Sequence, residues 1–410
     1  MSASESRPAG GGASRAPLRI FVGAFGDPGH AFPAIALGKA LRARGHQVAV
    51  QTWRKWADHV EREGMSFYAA PEYQVFPTRE RPLKPYEAVV RAARETRPVV
   101  REYRPAVVVS DILTLAPALA AELEGCPWAT LVPHVYPPGA RGVPPYGLGA
   151  IPARSMVGKA FWRILTRPLN QGLVLGRAEL NETRRRVGLG AIPHFHGGVS
   201  RQLCIVGTFP HLEYPREWPP RVHVTGPLLW EPPSGDVAPP PGDQPLVIVA
   251  PSTSQDPDQQ LVDASLRGLA DLPIRLLAIR RADRPPPRTE APANARLVEW
   301  LPYSRTMPLA QLIVCHGGHG TLVHALASGV PVATIPAAGD MTENGSRAQW
   351  AGVGLSLPRR FLGPRTLRCV VQRILEEPSF KRRAGELAEW GRRNNGPDTA
   401  AMLVERFASL

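Results

Sequence analysis

Short apolar runs alternate with stretches of helical period along most of this chain. Runs at 18–25 and 47–52 bracket the segment FPAIALGKALRARG, in which Ala34, Leu37 and Leu41 share one helical face, Ile35 and Gly38 lie beside it, and Gly45 ends the helix. Such a strand–helix–strand unit opens a doubly wound sheet. Further runs at 105–111 and 128–132 flank a helix at 115–123, and another strand follows at 203–206. A second alternation begins with LVIVA at 246–250 and continues with a helix from Pro257 and strands at 274–279 and 296–299. It then runs strand, glycine loop, helix and strand over 310–335. Leu367, Val370, Val371, Ile374 and Leu375 mark the core face of a helix at 365–377, and a last helix spans 397–408. The pattern predicts an α/β protein of two Rossmann-like halves, each a parallel sheet.

Proline density between the halves sets the boundary. It rises over 209–245, and EPPSGDVAPPPGDQP is linker composition. The expected organisation is a tail at 1–16, a first domain at 17–228, a linker at 229–245 and a second domain at 246–390. A terminal segment at 391–410 follows. The tail is rich in Ser, Gly and Ala without an apolar core, so it is not read as a secretory signal. Residues 133–168 are irregular and aromatic, with His134, Tyr136, Tyr146, Phe161 and Trp162 among basic residues. Three readings order themselves there: a helix packed on the core, an acceptor-binding wall, and a patch touching a membrane surface.

Charge and cysteine content narrow the class. The formal net charge is +14 across 410 residues. No basic stripe interleaves with aromatics and no nucleic-acid-binding motif is found, so nucleic acid is not the expected partner. Arg184, Arg185 and Arg186 precede Gly188 and suit the last turn of a helix. Four cysteines sit apart in apolar contexts, as reduced thiols of a cytoplasmic protein would.

The stretch AQLIVCHGGHGTLVHALASGVPVATIPAAGDMTEN carries the clearest chemistry. A helix opening after a glycine loop presents free N–H groups and a partial positive charge to an anion. His316 adds a donor and Thr321 a hydroxyl. The plainer reading is a strand-to-helix loop that binds nothing, and the nearby histidines lack the partners of a zinc site. His30 falls at the start of the first helix and Asp111 at the end of a strand, both on the edge where doubly wound sheets bind ligands. Taken singly, each has a structural explanation, as a helix-start histidine and an N-cap. Asp256-Pro257-Asp258 fits a helix start, with Asp256 as cap, better than a metal site.

Together these residues resemble glycosyltransferase family 1, nucleotide-sugar enzymes of the GT-B fold. The resemblance rests on His316-x-Gly318-x-x-Thr321 followed by Asp340 and Asn344, and on Gly29-His30-x-x-Pro33 with strand-terminal Asp111. It implies two Rossmann-like domains facing across a cleft, with the C-terminal helix of 391–410 packing back on the first. It also implies inverting transfer of a sugar from a UDP- or dTDP-sugar to a small hydrophobic acceptor, phenolic, polyketide or other natural product. By the same resemblance His30 and Asp111 form the catalytic pair. His316, Gly318, Thr321, Ser252 and Thr253 hold the diphosphate, and Trp300 and Leu301 meet the nucleobase. Asp340, Glu343 and Asn344 take the sugar, while His134, Tyr136 and Trp162 line the acceptor pocket. No metal and no cofactor beyond the donor are expected, in a monomer or homodimer. Met341 and Tyr303 depart from the family, which has Gln at both positions, and His324 stands where plant relatives carry a ribose-binding Glu. Two readings of Met341 stand open: Glu343 replaces the missing Gln, or the donor sugar is a deoxysugar with fewer hydroxyls. Two alternatives stay open: a transferase acting on a lipid-type acceptor at a membrane, and a non-catalytic nucleotide-sugar-binding partner.

Overall fold

The computed structural model describes residues 16–71, 85–140, 142–193, 199–252, 256, 258–337 and 339–409. The first half runs β1 (Arg19–Gly23), α1 (Pro28–Ala43), β2 (Gln47–Thr52), α2 (Ala57–Arg62), β3 (Ser66–Ala69), α3 (Pro85–Tyr103), β4 (Val107–Asp111) and α4 (Ala116–Leu123). It continues with β5 (Trp128–Val132), α5 (Met156–Val187), β6 (Cys204–Val206) and β7 (Val222–Val224). The second half comprises β8 (Leu246–Ala250), α6 (Gln260–Gly268), β9 (Arg275–Ile279), β10 (Ala295–Val298), α7 (Tyr303–Thr306), β11 (Leu312–Cys315) and α8 (His319–Ala327). After them come β12 (Val332–Thr334), α9 (Asp340–Trp350), β13 (Gly354–Ser356), α10 (Pro364–Glu376), α11 (Pro378–Arg393) and α12 (Gly396–Ala408).

Among the described residues these strands form two sheets, ordered β3-β2-β1-β4-β5-β6-β7 and β10-β9-β8-β11-β12-β13. Every strand pair is parallel. The order reverses beside β1 in one sheet and beside β8 in the other, so each half has a switch point at the carboxyl end of its strands. Both faces are covered, which explains the near-continuous apolar runs. In β1, Ile20 and Val22 pack towards α1 and α12, while Phe21 packs towards α3 and α4. In β8, Ile248 joins the core with α8 and α11, while Val247 and Val249 join α6 and α10.

Several elements depart from what periodicity predicts. The helix within 133–168 is in fact α5, which extends to Val187. Ser155 accepts the Gly158 N–H at its start, and Gly188 at φ +90° closes it, so Arg184–Arg186 do occupy the last turn. Pro98 lies inside α3, a pattern that hides that helix from the sequence. The proline-rich stretch at 209–245 contains β7, hydrogen-bonded to β6. Asp256 accepts from the N–H groups of Gln260 and Leu261 and from Arg359, but α6 begins only at Gln260 and Pro257 lies outside the described residues. No helix among the described residues is long and apolar enough to cross a membrane.

Two features tie the halves most firmly among the described residues. The chain crosses between them twice at one point, where Gly396 meets the Gly226 and Pro227 carbonyls so closely that a Cβ would sit 2.6 Å from Pro227 O. Beyond that point Ala400, Ala401 and Val404 of α12 enter the core of the first sheet. The second tie is a buried ion cluster. Arg347 of α9 bonds Glu213 (2.8 Å) and the Leu212 carbonyl (3.0 Å) of the first half, and Glu343 (2.8 Å) on its own helix. Its guanidinium also lies 4.2 Å from the Tyr214 ring centroid. Removing one partner of such a cluster strands the others without water. Arg347→Ala is expected to cost about 3–5 kcal/mol, read as a lowered urea midpoint, with Arg347→Lys losing part of that.

Candidate active site

The first half of the site forms where β1 and β4 end side by side. His30 is the third residue of α1, which Pro28 starts and Asp27 precedes. Its Nδ1 lies 2.8 Å from Asp111 Oδ2 and 3.0 Å from Oδ1. Asp111 is itself buried and accepts the N–H groups of Phe25 (3.2 Å) and Leu113 (2.9 Å). The carboxylate thereby fixes the imidazole with its proton on Nδ1. Nε2 carries the lone pair and has no hydrogen-bond partner among the described residues, and 14% of the side chain stays exposed. Burial opposes the charged imidazolium, but the charge and hydrogen bond of Asp111 outweigh it, and the pKa of His30 lies above its ordinary value.

A row of rings leads from this pair into the second half. The His134 ring stands 5.9 Å from that of His30, and Tyr146 stacks on its far side at 6.2 Å. His134 is 6.5 Å from the His319 ring, the first residue of α8. His319 Nε2 in turn bonds the Thr208 hydroxyl across the domain boundary (2.9 Å). His134 donates from Nδ1 to the Val135 carbonyl (2.8 Å), and burial first, then the charge of His30, hold its pKa below the usual value.

In the second half the loop between β11 and α8 has the expected build. Gly317 adopts φ +84°, and a Cβ there would meet the Met341 carbonyl at 2.8 Å. Gly318 admits the His316 ring, whose Nε2 lies 2.3 Å from where a Cβ would stand. No side chain caps the start of α8, so its first N–H groups remain available. His316 Nδ1 donates to the Ala250 carbonyl (3.2 Å). Thr321 is buried and hydrogen-bonded to Tyr303, whose hydroxyl burial pushes up to about 12. Ser252 is buried just past β8, and Thr253 lies outside the described residues. Asp340 opens α9 and is close enough to favour the charged forms of His30, His134 and His316 alike, which sets it between the two halves.

The structure redraws part of the predicted site. Glu343 is 1% exposed and spends its carboxylate on Arg347 and the Gly147 N–H (3.2 Å), so no face of it meets a sugar. Asn344 is wholly buried, and its amide nitrogen holds the Gly317 carbonyl (3.0 Å), which makes it a support of the glycine loop. Tyr136 belongs to a core cluster, against Trp218 and Arg216, rather than to a pocket wall. Trp162 stands on the exposed first part of α5, beside Phe161. Trp300 is 47% exposed, while the Leu301 side chain is core and only its backbone can face a base. The sequence marks Tyr146 only as one aromatic of the 133–168 stretch and His319 only as a histidine of the glycine loop, and the Arg347–Glu213 contact escapes it. Only the Glu343–Arg347 spacing of four could have signalled any of them.

The fold has close counterparts. The glycotransferase of kitacinnamycin superimposes with a TM-score of 0.77 over 96% of this chain and 100% of its own, at 21% identity. The calicheamicin glycosyltransferase does so with 0.75 over 96% and 99%, at 20% identity. The architecture is therefore GT-B, and the protein is a nucleotide-sugar-dependent glycosyltransferase. Residues 20–128 match the glycosyltransferase family 28 N-terminal domain, and 266–404 the C-terminal domain of erythromycin biosynthesis protein CIII-like proteins. A PGL/p-HBAD biosynthesis glycosyltransferase of Mycobacterium tuberculosis is 30% identical over 74% of this chain and 70% of its own length. The 4'-demethylrebeccamycin synthase of Lentzea aerocolonigenes is 27% identical over 90% and 95%. The chain belongs to the glycosyltransferases that join these two domain types.

Gly317 is the position where the loop tolerates least. Gly317→Ala places a Cβ in the left-handed region against a backbone carbonyl, and is expected to cost about 1–3 kcal/mol. Differential scanning calorimetry should show the loss as a lower Tm, and titration with dTDP as weaker binding.

Proposed function

We propose that the enzyme is an inverting, family 1-type glycosyltransferase that moves a sugar from a dTDP- or UDP-sugar to a small hydrophobic natural-product acceptor. The observation that carries this reading is the His30–Asp111 contact at the end of β1, linked through His134 to the start of α8. Relatives named for tylonolide and aklavinone glycosylation support the acceptor class. A similarly folded glycosyltransferase, VinC, has been solved with dTDP, which supports the donor.

In this mechanism the acceptor hydroxyl lies between His30 Nε2 and the anomeric carbon. Nε2 takes its proton as the oxygen attacks from the face opposite the diphosphate. Asp111 then balances the imidazolium, an electrostatic task suited to a buried carboxylate. The leaving diphosphate settles on His316 and the first N–H groups of α8, which supply the positive charge without a metal. Asp340 orients the sugar hydroxyls. Trp300 offers its exposed face to the base and the Leu301 backbone its polar edge. The exposed apolar residue Leu113, directly after the Asp111 strand, suits an apolar acceptor.

His30→Ala should lower kcat about a hundred- to ten-thousand-fold while dTDP binding by calorimetry stays unchanged; wild-type turnover in this variant refutes the base assignment. The pH profile follows in sign. Only neutral His30 acts as base and its pKa is raised, so kcat/KM should climb with pH through a value above the usual imidazole range. Asp111→Asn should shift that limb down in pH and lower the plateau.

His316 behaves in the opposite sense. Burial outweighs the Ala250 hydrogen bond and the charges of Asp340 and Asp256, and its pKa lies below the usual value in the free enzyme. Its one neutral-state proton points at Ala250, so Nε2 must gain a second proton to donate to a phosphate. Binding of dTDP should therefore take up about one proton and weaken as pH rises. Calorimetry in buffers of different ionisation enthalpy measures the uptake, and His316→Gln, whose amide donates without titrating, should abolish it.

A further inference from the structure

The first part of α5 is a helix with little to pack against. Met156, Val157, Phe161 and Ile164 are 54–81% exposed, and Leu148 and Ile151, exposed as well, lead into it. Successive helical residues turn by about 100°, which gathers those four side chains on one side. The half-buried residues, Gly158 and Trp162, lie on the other. A helix whose apolar side faces away from its own protein is built to face something else.

Charge identifies that partner. From Gly125 to Ala178 the chain has no Asp or Glu, although 35 acids occur in the whole sequence. The same stretch carries Arg141, Arg154, Lys159, Arg163, Arg167 and Arg177. Arg154 and Lys159 are exposed and border the apolar side. A small uncharged acceptor would ask for the apolar residues but not for the exposed Arg154 and Lys159 beside them. Another copy of this face would meet its own like charge. An anionic lipid surface matches both features, taking the apolar residues at its acyl boundary and the cations at its headgroups.

We propose that the exposed first part of α5, with the turn before it, docks the enzyme on an anionic membrane surface without spanning it. The placement has a functional consequence. The loop leading into α5 is fastened beside the donor-side helix α9, through the Gly147 N–H to Glu343 and the Ser346 hydroxyl to the Gly149 carbonyl (2.6 Å). Docking there sets the mouth of the cleft next to the bilayer, where an apolar acceptor concentrates. The inference does not depend on the role of His30 or His316.

The test is co-sedimentation of the full chain with vesicles of phosphatidylcholine alone or with phosphatidylglycerol added. Binding is expected only to the anionic vesicles, and should fall at high salt as headgroup attraction is screened. Phe161→Asp with Ile164→Asp, and separately Arg154→Glu with Lys159→Glu, should each weaken it on the order of tenfold or more. All four positions are exposed, so dTDP binding and circular dichroism should match the wild type. Absence of binding to anionic vesicles overturns the proposal, as does binding that survives the aspartate pair. A dimer in light scattering that the aspartate pair dissociates would assign the face to a second copy. A raised acceptor KM in detergent-free assays without vesicle association would assign it to the acceptor. Either result also overturns the proposal. Turnover by His30→Ala is measured separately, so failure of one reading leaves the other standing.

Discussion

The guanidinium of Arg347 is the constraint on which the geometry of the cleft depends. It sits almost fully buried between two carboxylates, one from each half of the molecule, and also bonds a carbonyl of the first half. Glu213 is held in turn by the Tyr136 N–H and Glu343 by the Gly147 N–H. A buried ion cluster is a poor source of net stability, because desolvation consumes most of the Coulomb gain. Its strength is directional. The charges tolerate few arrangements, so the two sheets meet in one register.

That register has chemical content. α9 begins with Asp340; one turn later Glu343 accepts the Gly147 N–H and a further turn on Ser346 donates to the Gly149 carbonyl, so the helix grips the loop carrying Tyr146, while Arg347 holds Glu343 and Glu213. Tyr146 stacks on His134, and His134 faces His30. His30 and α9 are thus linked through His134, Tyr146 and the Gly147–Glu343 hydrogen bond rather than through either sheet. The same logic explains the glycine loop. Asn344, one residue from Glu343, fastens the Gly317 carbonyl, and the Met341 carbonyl sits where a side chain at 317 would be. A single helix therefore sets Asp340, the glycine loop after β11 and the loop carrying Tyr146 together.

The two histidines of opposite duty show how environment divides identical side chains. His30 shares its Nδ1 proton with a buried carboxylate, which favours its cation. His316 gives its Nδ1 proton to a neutral carbonyl in a buried site, which favours the uncharged form. The same imidazole is thus biased towards its cation at one site and towards its neutral form at the other.

Much of this was legible before any coordinates. The alternation of short apolar runs with helical periods revealed two parallel-sheet halves, because strands covered on both faces need apolar residues throughout. The spacing around His316, and the positions of His30 and Asp111 at element ends, marked the site, since doubly wound sheets bind at their carboxyl edge. What the residues themselves determined was local: which segments are strands, where helices start, which loop suits an anion. Whether Glu343 meets a sugar or an arginine, whether Tyr136 lines a pocket or fills a core, and whether the first part of α5 packs inward or stands exposed were settled only by tertiary structure. Those outcomes depend on partners distant in the chain, Glu213 for Arg347, Trp218 for Tyr136 and Gly147 for Glu343, and no local period or spacing encodes a neighbour that folding alone brings near.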